Sequence, residues 1–193
     1  MIPATIKYNF SKFIIRLEYY LRINSDPNDC VINAMQLLGL LSNIESGLLR
    51  IELKCWSERN GGLPLSVILS MFKTIYPFYN FDFIKSNNPD HFVDYLTRIM
   101  PNNSISFCGI SRKNGSCHVF LVIKSSNQIY IVDPQTYTYP YGKQIYNLQD
   151  DFFTNVSKIH VLFVDKDEGY LKPRYSDKRI SEELSQMEID WHV

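Results

Sequence analysis

Cys30, His118 and Asp133 are the residues of this 193-residue chain whose types and placement could carry chemistry together. A cysteine is a strong nucleophile only as thiolate. A helix N-terminus stabilises that form with a partial positive charge and unpaired backbone N–H groups. Cys30 stands where this would happen: Asn24-Ser-Asp-Pro-Asn-Asp29, dense in turn and N-cap residues, leads directly into the apolar run Cys30–Leu41. That pattern predicts a loop opening a buried helix, with Cys30 in its first turn. An imidazolium beside the sulfur favours the thiolate further, and a carboxylate on the other ring nitrogen fixes the tautomer. His118 and Asp133 fit those two roles. The backbone N–H of Cys30 is a candidate oxyanion donor, with the Asn24 and Asn28 side chains as further candidates.

A hairpin must bring the histidine to the carboxylate. His118–Lys124 and Gln128–Asp133, rich in β-branched and aromatic residues, flank the turn-forming Ser125-Ser126-Asn127. If the loop holds an even number of residues, so that Lys124 faces Asn127, then His118 faces Asp133. Such directly opposed residues have β-carbons about 4.5–5.5 Å apart. A loop one residue longer would put the two side chains on opposite faces. Both strands are apolar on both sides, Phe120 and Val122 on one and Val119 and Leu121 on the other, which places them centrally in a sheet.

The remaining elements follow in chain order. Tyr8–Ile23 has the spacing of an amphipathic helix, and Gly39 is expected within the helix that Cys30 opens, with Gly47 in or near the next connection. Leu48–Trp56 is ambiguous between strand and helix. Leu65–Tyr76 is expected to be helical with Pro64 at N1, and Pro89–Met100 helical with Asn88 as cap. From Ser104 the period becomes strand-like: Ile105–Ile110, the two hairpin strands and Ile159–Val164 give at least four strands. Helices that precede strands predict an α+β domain with a mainly antiparallel central sheet. One domain is expected over 1–165, followed by a charged tail over 166–193, containing the acidic Ser181–Glu188, that is either a docked helix or mobile.

Composition narrows the function classes. Lys+Arg and Asp+Glu both number 20, so net charge offers no pull toward nucleic acid, and hydrophobic residues make up an ordinary 45%. No apolar run has the length of a membrane span, and no signal-peptide pattern opens the chain. A soluble protein is expected. Cys30, Cys55, Cys108 and Cys117 show no CxxC and no framework spacing, which points to a reducing compartment. No cofactor is implied. Metal binding by Cys108, Cys117 and His118 is disfavoured because their spacing does not converge. Cys117, next to His118 on a strand, points to the opposite face. His91, His160 and His192 read as ordinary surface or core histidines. A single cysteine before an apolar helix is commonly just a packed small hydrophobe, and only its combination with His118 and Asp133 argues for a thiol site.

With those residues in view, the chain resembles the papain-like fold: Asp-Cys at a helix start, a long interval, His-Val-Phe-Leu-Val at a strand start, and Val-Asp-Pro-Gln-Thr at the end of the next strand. It is most similar to papain-fold toxin and effector domains, which include proteases and protein-glutamine deamidases, and more distantly to bacteriocin-processing peptidases. The resemblance implies Cys30 as nucleophile, His118 as base and Asp133 as third residue, followed by the typical Pro134-Gln135. It implies a thiol hydrolase acting on an amide of a protein substrate, delivered as an effector or toxin. The bacteriocin-processing family carries Gln six residues before its cysteine and Gly after it, where this chain has Asn24 and Val31. Gln135, Tyr137 and Tyr139 follow the triad as candidate substrate-binding residues. With Tyr141 they would narrow the site, which tilts the expectation toward glutamine deamidation over peptide cleavage. The competing expectation is a non-catalytic interaction module on the same scaffold.

Overall fold

The computed structural model describes residues 1–8, 13, 29–60, 62–134, 145–146, 155–166 and 170–175. Among them the order is β1 (Ile2–Pro3), β2 (Thr5–Lys7), α1 (Cys30–Leu37), α2 (Asn43–Asn60), α3 (Leu65–Ile75), β3 (Phe81–Ser86), α4 (Pro89–Ile99), β4 (Ser104–Arg112), β5 (Cys117–Ser125), β6 (Gln128–Val132), β7 (Ile145–Tyr146) and β8 (Val156–Val164). The fold is α+β around a single antiparallel sheet, whose main path runs β1-β8-β4-β5-β6-β7, with β2 added to β4 and β3 to β8. The four strands read from the sequence are all present. The expected order of helices before strands is corrected: β1 and β2 precede the helices, and β3 lies between α3 and α4. The expected Tyr8–Ile23 helix lies outside the described residues, apart from Tyr8 and Phe13.

The sheet is covered on both faces. Val119, Leu121, Ile123 and Phe107 pack with Met35 and Leu38 around α1 and with Ile68 and Phe72 of α3. Phe120, Val122, Cys108 and Ile131 pack with Phe92 and Leu96 of α4 and with Met100 just beyond it. Strands β5 and β6 therefore have apolar side chains on both faces, as their composition predicts.

Every residue of α1 is buried. The helix ends in a Schellman motif: Gly39 N–H donates to Gln36 O at 2.9 Å and Leu40 N–H to Met35 O at 2.9 Å. Gly39 takes φ 72°, so it terminates α1 and is not inside it. Gly47, expected in a connection, lies inside α2. The reason is a capping box one turn earlier: Ser42 Oγ accepts from Glu45 N–H at 3.1 Å, and Glu45 Oε2 accepts from Ser42 N–H at 2.8 Å. This start also resolves Leu48–Trp56 as helix. Pro64 is the N-cap of α3 and not its first residue, with extended φ −60° and ψ 148°.

Residues 170–175 dock in extended form, not as helix. Leu171 is buried and its N–H donates to Thr5 O at 2.7 Å, while Tyr175 N–H donates to Gly39 O at 3.0 Å. Arg174 Nη1 lies 2.9 Å from Glu45 Oε1, and the Tyr175 hydroxyl donates to Glu45 Oε2 at 2.9 Å. Burial raises the Glu45 pKa, but the Ser42 N–H, Tyr175 and Arg174 outweigh it and hold the carboxyl below its ordinary value. The packed unit thus continues past Asp165. Residues 176–193, with the acidic stretch, lie outside the described residues.

Candidate active site

Cys30 is the first residue of α1 and Asp29 its N-cap. The first intrahelical bond runs from Asn33 N–H to Asp29 O at 2.8 Å. The amides of Cys30, Val31 and Ile32 lie ahead of it and have no partner within the helix. The Asp29 side chain makes no capping hydrogen bond. Its Oδ2 instead accepts from Arg50 Nε of α2 at 2.8 Å. The same guanidinium donates to Asn33 Oδ1 at 2.6 Å and Gln36 Oε1 at 3.2 Å, and Gln36 donates onward to Asn43 Oδ1.

The hairpin forms with an even loop, but not the one expected. Ser125 pairs with Gln128 and Lys124 with Ile129, so the two-residue turn is Ser126-Asn127 and not Ser125-Ser126. Both turn residues take left-handed φ, 50° and 62°, as a type I′ hairpin turn requires. Asn127 is held there by Asn102, whose amide donates to Asn127 Oδ1 and whose Oδ1 accepts the Asn127 N–H, both at 2.9 Å. Continued past Leu121↔Val132, this register sets Phe120 opposite Asp133. The directly opposed His118–Asp133 pair is thereby corrected to a diagonal one. A slip of two residues preserves the face, and a diagonal neighbour stays within reach of a long side chain. His118 Nε2 and Asp133 Oδ2 are 2.8 Å apart.

With Nε2 occupied, Nδ1 is left for Cys30, which lines the same cavity as the His118 ring and whose interaction with it helps to raise the ring's pKa. By alternation His118 belongs to the row of Phe120, on the α4 side, whereas Cys30 packs with α1 on the other. They meet because His118 is the second residue of β5, at the end of the sheet. Cys30 is 7% and His118 9% exposed. Burial lowers the His118 pKa, but hydrogen bonds to Asp133 and Cys30, and the charges of both, outweigh it and push it up to about 10. The favoured state of the ring at neutral pH is imidazolium, held between a carboxylate and a sulfur.

Beside the pair lies a cavity of about 80 Å³, lined by Cys30, Val31, Leu63, Pro64, Ile68, Gly109, Ser111, Cys117, His118, Val119 and His160 among others. Gly109 pairs with Val119 on one side and His160 on the other, and a β-carbon there would stand 3.4 Å from His118 O. Ser111 Oγ lies 2.9 Å from His160 Nε2 and 3.6 Å from Cys117 Sγ. Cys117 is exposed and, as alternation predicts, does not share the His118 row. Burial, then Lys85 and Lys158, lowers the His160 pKa, which favours a neutral ring.

Sequence reasoning missed Ser111, His160 and Arg50 as neighbours of the site. Ser111 and His160 meet only through the β4–β8 register. Asn24, Asn28, Gln135, Tyr137 and Tyr139, with Tyr141, lie outside the described residues. Among the described residues no group of three or more His, Cys, Asp or Glu side chains is placed to hold a metal ion. None of the described helices is long and apolar enough to cross a membrane. The described cysteines Cys30, Cys108 and Cys117 are all unbridged. No protein-family model and no curated protein matches the chain.

Proposed function

We propose that the chain is a cysteine hydrolase with a papain-like arrangement, acting on an amide of a protein substrate. The observation that carries this reading is the His118 imidazole, bonded through Nε2 to Asp133 at 2.8 Å and lining one cavity with a cysteine that begins a buried helix. Cys30 thiolate attacks the amide carbon, and the oxyanion formed accepts from α1 backbone N–H groups. The His118 imidazolium gives its proton to the departing nitrogen, leaving an acyl-thioester. Neutral His118 then takes a proton from water, whose oxygen attacks the thioester. Acid product leaves, and thiolate and imidazolium are restored. Asp133 orients the ring and stabilises its charge.

The neighbouring cavity of about 80 Å³ has the size of one small side chain. That favours entry of a glutamine carboxamide over an extended backbone on both sides of the bond. The test is intact mass of candidate protein substrates: deamidation adds about one dalton and leaves the chain whole, whereas peptide or isopeptide cleavage gives fragments. Iodoacetamide at mildly acid pH is expected to modify Cys30 ahead of the other cysteines, Cys55, Cys108 and Cys117. The hydrolase reading fails, and a non-catalytic binding module takes its place, if Cys117 or Cys108 reacts first and no substrate changes mass.

A further inference from the structure

Asp29 presents a contradiction that Arg50 resolves. Aspartate is among the strongest N-capping residues, and at the N-cap of α1 its carboxylate is expected to accept from the first-turn amides. There it would occupy the donors an oxyanion needs and place a negative charge against the Cys30 sulfur. It makes no such bond. Arg50 Nε takes Oδ2 at 2.8 Å instead, and the guanidinium is itself fixed on Asn33 Oδ1 at 2.6 Å and Gln36 Oε1 at 3.2 Å. Residues 29, 33 and 36 fall on one side of α1 by helical spacing. The guanidinium therefore ties one side of α1 to α2 and holds Oδ2 of the Asp29 carboxylate. A planar guanidinium can serve three acceptors at once; a lysine ammonium or an amide does not reproduce that fork.

We propose that Arg50 is a positioning residue of the thiol site, holding the Asp29 carboxylate away from the start of α1 so that the first-turn amides and the Cys30 thiolate are not opposed by it. The proposal rests on the cysteine-hydrolase reading. Releasing the carboxylate is the perturbation that matters, since a like charge within about 4–6 Å changes an ionisation equilibrium tenfold or more.

The test measures iodoacetamide modification of Cys30 against pH, mapped by peptide mass, in the full chain carrying Arg50→Met, Asp29→Ala or both, with folding checked by circular dichroism. Arg50→Met is expected to slow Cys30 modification at pH 6 at least tenfold and to move the rise of its pH profile upward. Asp29→Ala alone leaves the profile where it is, and Asp29→Ala with Arg50→Met restores the rate to within about twofold of the unmodified chain. A structural role for Arg50 alone would lower thermal stability without that rescue. The proposal is overturned if the double variant stays as slow as Arg50→Met, which would make the guanidinium's own charge or packing the cause. It is equally overturned if Arg50→Met leaves the rate unchanged, or, should that variant not fold, if Asp29→Ala by itself slows Cys30 tenfold. Failure of the hydrolase reading looks different: Cys30 would then lack preferential reactivity in the unmodified chain.

Discussion

Asp133→Asn isolates what the carboxylate does for His118. The ring is nearly buried, and burial by itself lowers its pKa; contact with Asp133 and Cys30 raises it to about 10. The interval from the ordinary 6.5 to about 10 corresponds to roughly 5 kcal/mol of preference for the charged ring, at about 1.4 kcal/mol per pH unit. An opposite charge at this range accounts for a displacement of about one to three pH units, or about 1.4–4 kcal/mol. The His118 midpoint should therefore fall by at least about one pH unit in Asp133→Asn. Because the folded pKa exceeds the unfolded one, the ion pair's stabilisation is fully present below about pH 6.5 and is lost as pH rises through about 10. The variant should lose it at lower pH. Nuclear magnetic resonance titration of the His118 ring carbons gives the midpoint, and urea unfolding across the same pH range gives the linked stability. A midpoint identical in the two proteins would refute this assignment, and a stability that rose from pH 7 to 10 in the unmodified chain would refute the sign.

Cys30→Ala and His118→Ala should each abolish turnover, with the double variant no worse than either, since nucleophile and base act as a unit; steady-state kinetics checks this, and full activity in Cys30→Ala would refute the site. Gly47→Ala should stabilise the fold by about 0.5–1 kcal/mol, because nothing lies within 4 Å of the added β-carbon and an alanine loses less backbone entropy in α2. Denaturant midpoints decide it. Asn127→Ala should destabilise by about 1–2 kcal/mol, more than Asn127→Gly, because the turn holds φ at 62° and the Asn102 pair is lost; an alanine variant as stable as the glycine one would contradict the turn assignment.

Parity was legible in the sequence, and pairing was not. Alternation alone sets His118 and Asp133 on one face for any even loop. The choice between Ser125-Ser126 and Ser126-Asn127 depends on Asn127 tolerating left-handed φ and on a partner, Asn102, 25 residues away. The start of the Cys30 helix was legible from its turn-rich leader and the apolar run that follows. Its end was not, because a glycine near an apolar run is compatible both with a helix interior and with a Schellman stop, and only the bonds to Met35 and Gln36 decide. Strands β1 and β2 span two and three residues, too short for any period to register. Strand β3, FDFIKS, carries two exposed charged positions that mask its alternation. Arg50 was invisible for a simpler reason: an arginine on a helix is ordinarily a solvated one, and its three acceptors lie 14 to 21 residues earlier.

The last strand among the described residues is not at the sheet's margin. β8 inserts between β3 and β4, with β1 beside its C-terminal end. During synthesis, β4, β5 and β6 leave the ribosome with the β4 edge beyond its β2 pairing, Cys108–Arg112, still uncovered, and β3 lacks its strand partner until residues 156–164 follow. Such late, non-local pairing is slow and leaves an adhesive strand edge exposed while the chain waits. A nascent chain halted before Val156 would therefore hold Cys30 and His118 already translated while β3 and β4 still lack the strand that joins them.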